Sequence, residues 1–460
     1  MLDKGLIGDV LDMALTTGAD FAELFAENCT RTNLQLSSNE IEKAIAGEDF
    51  GAGIRIFFGP QSVYAFTNDL SREGLLETAA TAAKAAAQDN KSSTQNLQAK
   101  TIENRHPTKI LPDQIVIKEK ADLLFRANDK TRAYHPLISQ VQVTYLDEVQ
   151  EVLIANSEGL LVQDKRVRTR LYIMAVAAKD NEKQIGTMSP GACKGFEFYL
   201  DLDIGELGQR AAETALIMIQ SDYAPGGKMP VIIDRGFGGV IFHEACGHGL
   251  EASAIAKKAS IFEDKLGKKI AAPCVSVVDD GTLANYWGST NIDDEGNSTQ
   301  RTLLIDKGIL KSYMVDRLSG RILGLESTGN GRRQSYKFAP VARMRNTFIL
   351  PGQYTLDEII AATEAGLYAK KMGGGSVNPA TGDFNFAVME GYLIEHGRIG
   401  RPVRGATLVG NGKDILWNID MVGKELEMEA GVCGADSGSV PTMVGQPPIR
   451  VQGLVVGGRG

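Results

Sequence analysis

The most informative stretch of this sequence is Ile241-Phe242-His243-Glu244-Ala245-Cys246-Gly247-His248-Gly249-Leu250-Glu251. It places two of the chain's five histidines beside a glutamate. The histidines are five positions apart, one more than in the helical zinc-binding pattern H-E-x-x-H. Because positions i and i+5 of an α-helix point roughly 140° apart, both imidazoles can face one ion only if the turn is widened, as in a π-bulge. We therefore predict a widened helical turn at Gly247.

The residue types in this stretch are those of a zinc site with a reactive water. Imidazole is a preferred zinc ligand, which makes His243 and His248 candidate ligands. A carboxylate beside the ion can accept a proton from water, and Glu244 stands in that place. The alternative is that all three are ordinary polar residues on a helix surface. The stretch follows a strand and a glycine turn, where sites are commonly built, so we favour the metal site.

A catalytic zinc ion needs a third protein ligand. The candidates are His396, a carboxylate such as Glu251, and the cysteines Cys246 and Cys433. Cys246 lies between the two histidines and is equally well explained as a small buried residue. Cys433 is the better candidate, because glycines flank it in a predicted loop where its sulfur could approach an ion closely. From the residues alone the choice stays open.

Outward from the motif, the sequence predicts an α+β fold with two domains. Helical periodicity marks residues 5–16, 71–88, about 112–134 and 206–220, between several short strand-like runs over 21–56 and strands over 138–178. A polar loop over 89–112 and a hinge over 222–228 interrupt this pattern. Beyond the hinge, apolar runs separated by glycines predict strands, with one further helix over 355–364. We therefore expect an N-terminal α/β-mixed domain over 1–222 and a β-rich C-terminal domain over 223–460 that carries the motif helix.

Composition excludes several classes of protein. The net charge of −8 and the isoelectric point near 5.4 argue against a nucleic-acid surface. The sequence has no run of about 18 apolar residues and no signal-peptide pattern at its start, so we expect no membrane contact. Its five cysteines are odd in number and scattered, which does not fit a disulfide framework. The expected location is the cytoplasm.

The motif also resembles the H-E-x-x-x-H signature of the TldD family, the catalytic half of the TldD/PmbA (TldE) metalloprotease group. Other blocks resemble the same family along nearly the whole chain, most specifically over 235–460. The blocks are Gly51-Ala52-Gly53-Ile54-Arg55-Ile56, Tyr64-Ala65-Phe66-Thr67, Val278-Asp279-Asp280-Gly281-Thr282, Ile292-Asp293-Asp294-Glu295-Gly296, Thr328-Gly329-Asn330-Gly331-Arg332-Arg333, Gly373-Gly374-Gly375-Ser376-Val377, Tyr392-Leu393-Ile394-Glu395, Gly405-Ala406-Thr407-Leu408-Val409-Gly410 and Val432-Cys433-Gly434.

This resemblance implies a zinc ion held by His243, His248 and Cys433, with Glu244 as general base. It further implies cleavage of unfolded peptides, docked as an added strand in an enclosed cleft between two related subunits. The pair would be a homodimer or a heterodimer with a PmbA-like paralogue, and the N-terminal domain would contribute to the cleft and the dimer. The rival hypothesis is a non-proteolytic peptide-binding or maturation partner with a structural metal. Glu244 favours the enzyme, because a structural site has no use for a base.

Other polar residues allow two interpretations each. Arg332 and Arg333 either anchor a substrate carboxylate or form a turn held by ion pairs, and the sequence favours neither. We expect Glu251 to be a solvated helix residue rather than a partner of the ligands. We expect the remaining histidines to be ordinary surface or core residues, namely His106, His135 and His396. Iron and nickel stay open as alternatives to zinc.

Overall fold

The computed structural model describes residues 2–85, 92–378 and 381–459. It is a mixed fold with 23% of residues in helices and 44% in strands. The predicted α+β class, with a β-rich C-terminal part that carries the motif helix, is confirmed. The last residues of the helix predicted over 71–88, and the first of the loop predicted over 89–112, lie outside the described residues. In the described ranges, no helix is long and apolar enough to cross a membrane.

The first half of the chain forms one large sheet, whose strands run in the order β3-β2-β1-β5-β6-β4, with β7 and β8 also paired to β6. All of these pairings are antiparallel except that between β4 and β6. The strands are β1 (Phe21–Ser37), β2 (Glu40–Phe58), β3 (Gln61–Thr67), β4 (Gln98–Lys100), β5 (Ile138–Asn156), β6 (Leu160–Lys179), β7 (Glu182–Met188) and β8 (Gly191–Ala192).

The short strand-like runs expected over 21–56 are in fact one long hairpin of β1 and β2. Ser38 and Asn39 connect these strands with φ values of 50° and 65°, the left-handed backbone that a tight two-residue hairpin turn requires. The sequence pattern looked interrupted because burial changes along each strand. The first half of β2 is exposed, whereas its second half is buried under helices.

Helices cover the sheet at both of its ends and close to the predicted positions. One pair, α1 and α2, packs on β1 and β2, and the other pair, α3 and α4, packs on β5 to β7. Asp3 and Ser71 cap the first pair by accepting backbone N–H groups, as a helix start requires. The helices are α1 (Lys4–Leu15), α2 (Arg72–Ala83), α3 (Ile117–Arg132) and α4 (Ile204–Ile219).

The second half of the chain contains two further main sheets. In one of them β17, β10, β24, β20 and β18 pair in turn, and β18 pairs again with β17, so that these strands close into a ring. The other has the order β13-β12-β11-β16-β23-β22, which leaves β22 at an edge. The strands are β9 (Asp222–Tyr223), β10 (Gly227–Ile233), β11 (Val277–Asp280), β12 (Arg301–Asp306), β13 (Ile309–Leu310), β14 (Gly331–Arg332), β15 (Val341–Ala342), β16 (Asn346–Ile349), β17 (Ala365–Val377), β18 (Asp383–Glu395), β19 (Arg398–Arg404), β20 (Thr407–Asn411), β21 (Ile419–Val422), β22 (Glu427–Ala435), β23 (Gly438–Gln446) and β24 (Ile449–Gly457).

Short helices connect these strands. The helix predicted over 355–364 is present and begins with a capping box formed by Thr355 and Glu358, although it ends at Ala361. The motif helix leaves β10 and buries Ile241, Phe242 and Ala245 in the same apolar core as the ring of strands. That core therefore fixes the position of the motif. The helices are α5 (Val240–Phe242), α6 (Ala252–Ala256), α7 (Arg317–Leu323), α8 (Leu356–Ala361) and α9 (Gly412–Asn418).

Candidate metal centre

The motif helix changes its winding within a few residues. A 3-10 turn at Gly236–Gly239 leads into α5, a π-helical turn follows at His243–Gly247, and a second 3-10 turn ends at Leu250. The N–H of His248 donates to the carbonyl of His243, five residues earlier. This is the bond that defines a π turn, so the widened turn predicted from the histidine spacing is confirmed.

Gly247 is required by close packing rather than by its backbone angles. Its φ of −57° and ψ of −48° are those of a right-handed helix, which any residue can adopt. A Cβ atom at this position would lie 2.3 Å from Sδ of Met344, well inside van der Waals contact. Met344 itself is 1% exposed and belongs to the main core. The π turn and Met344 therefore fit together only when residue 247 has no side chain.

The widened turn and a distant strand bring three donor atoms together. Nε2 of His243 lies 3.1 Å from Sγ of Cys433, and Nε2 of His248 lies 3.3 Å from the same sulfur. Among the histidine, cysteine and carboxylate side chains of the described residues, these three form a group that could hold one ion. Their ligand atoms lie within 4.8 Å of one another. Cys433 is in strand β22, paired with Val440 of β23, so the loop predicted around it is wrong. Its hairpin turns only afterwards, at residues 436–437.

The geometry and the chemistry of this donor set fit a divalent ion such as zinc. Donors bound tetrahedrally with bonds of about 2.0–2.3 Å lie roughly 3.5 Å apart, close to the two separations from Cys433. Nδ1 of His243 is buried without a hydrogen-bond partner in the described structure. Burial, together with the positive charges of His248 and Arg343, lowers the pKa of His243 well below its usual value. His243 is therefore neutral, which is the form that binds a metal.

Glu251 contacts one of the three donor residues directly. Its side chain is 8% exposed, and Oε2 lies 3.2 Å from Nδ1 of His248. The prediction that Glu251 is a solvated helix residue is wrong, because the helix ends before it and the chain bends inward at β-like angles. Burial lowers the pKa of His248, but Glu251 and Cys433 more than offset that effect and raise it well above its usual value. A carboxylate on Nδ1 holds the ring so that Nε2 points towards Cys433.

Glu244 stands beside the donors without joining them. Its side chain is 28% exposed, and one carboxylate oxygen lies 3.8 Å from Nε2 of His248. Burial and the nearby Glu251 carboxylate raise the pKa of Glu244, against the opposing charges of His248 and Arg343. A carboxyl group with a raised pKa holds a proton more readily than a solvated one, as a group that accepts and returns a proton must.

The other candidate ligands lie elsewhere. Cys246 is fully buried, and its thiol approaches the carbonyl of Gly412 rather than the histidines, which agrees with a packing role. His396 is exposed and paired with Glu364. His106 and His135 accept backbone N–H groups at Nδ1, from Asn285 and Leu137 respectively.

Arg332 and Arg333 are both buried, and they have different roles. Arg333 forms an ion pair with Glu23 of the N-terminal sheet at 2.8 Å, which ties the two halves of the chain together. Arg332 donates to the carbonyls of Met344 and Pro441, both at 2.6 Å. The interpretation of a turn held by ion pairs therefore fits Arg333 and not Arg332.

The sequence did not identify Arg343, which supports the strand that carries Cys433. Its guanidinium donates to the carbonyl of Cys433 at 2.6 Å, and its Nε lies 3.8 Å from Glu251. It is fully buried. The sequence offered no signal beyond the density of arginines over 332–345, because Arg343 acts only through contacts with residues that are distant in the chain.

Three family models match this chain over most of its length. They are described as PmbA/TldA metallopeptidase domain 1 over residues 22–86, the central domain over 110–219 and the C-terminal domain over 226–458. The Metalloprotease TldD homolog of Haemophilus influenzae is 35% identical over 460 residues, covering 98% of this chain and 95% of the relative. The corresponding protein of Buchnera aphidicola is 34% identical, with 97% and 95% covered.

Solved structures show the same fold at lower sequence identity. The chain superimposes on a protein of Thermotoga maritima with a TM-score of 0.79 and 24% identity, covering 99% of this chain and all of the other. It superimposes on TldE of Thermococcus kodakarensis with a TM-score of 0.78 and 20% identity, covering 98% and 99%. At these identities the likeness concerns the fold alone.

Proposed function

This chain belongs to the PmbA/TldA metallopeptidase family, and from that premise we propose that it is a zinc-dependent peptidase of the TldD type. In this proposal His243, His248 and Cys433 hold the metal. The observation that carries it is the convergence of two imidazole nitrogens and one thiol within 4.8 Å. Three protein ligands leave a fourth position free for water, which is the pattern of catalytic rather than structural zinc. When bound, zinc supplies Lewis acidity to the water and to the peptide carbonyl.

Glu244 is the proposed general base. Its carboxylate is within reach of a water at the donor set, yet 28% of its side chain stays exposed towards solvent. In the proposed reaction Glu244 takes a proton from the attacking water and later gives it to the leaving amine. A raised pKa suits the second step, since the group must hold the proton until the amine departs.

The proposed substrate is an unfolded or unstructured polypeptide, cleaved in an enclosed cleft between two related subunits. The partner is a second copy of this chain or a PmbA-like paralogue. We propose that residues 1–222 shape the cleft and the dimer and that residues 223–460 carry the chemistry. Large apolar side chains exposed on the β1–β3 part of the sheet support a subunit contact there, namely Ile45, Phe50 and Phe66. The cytoplasmic location and the lack of nucleic-acid partners stay predictions from composition.

The test combines metal analysis with degradation of an unstructured, fluorescently labelled peptide, with the paralogue supplied where one exists. Glu244→Ala should keep zinc and lose most turnover, whereas Cys433→Ser should lower the zinc-to-protein ratio. Cys274→Ser is the matched control for the thiol, because Cys274 is exposed and is not part of the donor group. Glu364→Ala is the matched control for the carboxylate.

The rival function is a non-proteolytic peptide-binding partner with a structural metal. It predicts zinc in the wild-type protein, peptide binding and no cleavage, with no difference between Glu244→Ala and wild type. No metal and no cleavage, with the partner supplied, would reject both functions. Full cleavage by Glu244→Ala would reject the role of Glu244 alone.

A further inference from the structure

An arginine-lined cavity of about 240 Å³ lies between the N-terminal sheet and the hairpin of β22 and β23. Strands β1, β5 and β6 supply one wall, and the segments around β14 and β16 supply another. Two carboxylates, Glu148 and Asp294, also line it. The cavity has seven arginines in its wall, namely Arg31, Arg166, Arg168, Arg170, Arg332, Arg333 and Arg345.

The ion pairs in this wall leave some of the positive charge unbalanced. Arg31 and Arg168 share Glu148, Arg166 pairs with Asp294, and Arg333 pairs with Glu23. The other three arginines have no carboxylate oxygen within 4.0 Å of the guanidinium among residues 2–85, 92–378 and 381–459, namely Arg170, Arg332 and Arg345.

Among the described residues, the guanidinium groups of these three arginines donate only to neutral acceptors. Arg332 binds two backbone carbonyls, and Arg345 binds the carbonyl of Gly329 and the hydroxyl of Thr290. Arg170 binds the carbonyl of Ala430 at 2.7 Å. Burial and the neighbouring Arg345 and Arg168 lower the pKa of Arg332 well below its usual value. The charge of Arg345 is partly offset at longer range by the carboxylates of Asp279, Asp293 and Asp294. Burying charge without a counter-ion is costly, so an anion in the cavity would stabilise Arg170 and Arg332 above all.

Unused donors point to the same conclusion. Arg168 and Arg333 are 4% and 5% exposed, and Nε of each is buried without a hydrogen-bond partner in the described structure. The two hydrogen bonds that Arg168 does make are both long, at 3.4 Å. Guanidinium groups with free N–H donors match the planar, two-oxygen geometry of a carboxylate.

The cavity and the donor group share one hairpin. Val432, Ser439 and Pro441 line the cavity on one face of this hairpin, whereas Cys433, the next residue on β22, points to the opposite face. Arg332 holds the carbonyl of Pro441, which is the residue paired with Val432. The hairpin therefore lies between the cavity and the donors. Because β22 is the edge strand of its sheet, a peptide that passes this edge could reach both faces.

We propose that this cavity is a subsite that binds a carboxylate of the peptide substrate, with the C-terminal carboxylate as the favoured ligand. The proposal rests on the proposed peptidase function. A C-terminal carboxylate presents two oxygens with no chain beyond them, which suits a cavity of about 240 Å³ lined by guanidinium groups. The apolar side chains of Leu146 and Trp287 in the wall can pack against the last residue of the peptide.

The test measures binding to the zinc-loaded Glu244→Gln protein, with its partner subunit if it has one, so that turnover does not interfere. The probe is a ten-residue unstructured peptide with an N-terminal fluorophore, made with either a free C-terminal carboxylate or a C-terminal amide. We expect the acid to bind about tenfold more tightly than the amide, the effect of one buried charge-assisted contact. A third peptide, amidated and with glutamate as its last residue, tests a side-chain carboxylate.

Two substitutions connect the preference to the cavity. Arg332→Gln and, independently, Arg170→Gln should abolish the preference for the acid while leaving binding of the amide within about twofold. Arg170→Gln decides the question if Arg332→Gln fails to fold, because Arg170 is less buried. The control is Arg450→Gln, which removes an arginine paired with Asp420 outside the cavity and should keep the full preference.

Equal binding of acid and amide by the Glu244→Gln protein would overturn the proposal, as would a preference that survives both cavity substitutions. Tighter binding of the amidated glutamate peptide than of the free-acid peptide would overturn the assignment to the C-terminus. A protein that prefers the acid but neither holds zinc nor cleaves peptides would keep the subsite and reject the peptidase function.

Discussion

Replacing Gly247 by alanine tests whether packing against Met344 is what requires glycine in the widened turn. The added Cβ atom would lie 2.3 Å from Sδ of Met344. Ordinary contacts between such atoms are about 3.5–4.0 Å, so one side must move by more than 1 Å. Met344 is 1% exposed, and it packs in a core with few voids.

Two opposing effects set the size of the change in stability. Gly247 already has helical angles, so alanine should stabilise the backbone by about 0.5–1 kcal/mol. Overpacking a buried site costs about 1–3 kcal/mol. The net expectation is a decrease of about 1 kcal/mol in the free energy of unfolding. Because the clash displaces the turn that carries His248, we also expect a lower zinc-to-protein ratio.

The assay is urea unfolding followed by circular dichroism, with zinc content measured on the same samples. Gly8→Ala is the matched control, because Gly8 is in helix α1 and an added Cβ would meet no atom within 4 Å. That variant should be more stable than wild type by about 0.5–1 kcal/mol. In a Met344→Ala background the clash is gone, and Gly247→Ala should then stabilise as Gly8→Ala does.

A Gly247→Ala protein that is as stable as Gly8→Ala and retains its zinc would refute this reasoning. Met344 would then adapt freely, and the glycine would have another cause. An equal loss of stability with and without the Met344 side chain would refute it as well, because the cost would not come from that contact.

Two further predictions concern Glu251 and His106. Glu251→Gln should weaken zinc binding by about 10- to 100-fold in competition with a chelator, because its carboxylate orients His248; unchanged affinity would contradict that role. Burial and the Arg168 charge lower the pKa of His106 to about 4, so the unfolded chain binds a proton between about pH 6.5 and 4 that the folded protein does not. Above about pH 6.5 this histidine should not lower the free energy of unfolding. As the pH decreases towards 4, the free energy of unfolding should fall by up to about 3 kcal/mol. His106→Asn should remove that part of the pH dependence in urea unfolding, and an unaltered pH profile would show that other groups cause it.

Local features of the chain were largely predictable. The helix starts at Ser71 and Thr355 follow from side chains that cap the backbone within three residues. The π turn follows from the spacing of His243 and His248, because only a widened turn lets residues five apart face the same point. The sequence pattern predicted several short strands where the structure has the long hairpin of β1 and β2. The pattern misled because burial changes along each strand according to what packs against it.

The sequence by itself determined the two histidines, the adjacent glutamate and the turn that aligns them, because these depend on neighbours within one helix. Only the tertiary structure decided which distant residues surround this motif. Strand pairing between β22 and β23 places Cys433 at the histidines, and the bend after Leu250 turns Glu251 inward to His248. The sequence left the role of Arg332 open, and the structure places it in a cavity whose opposite wall comes from strands β1, β5 and β6, more than a hundred residues away. Such contacts join residues distant in sequence, so no local pattern can encode them.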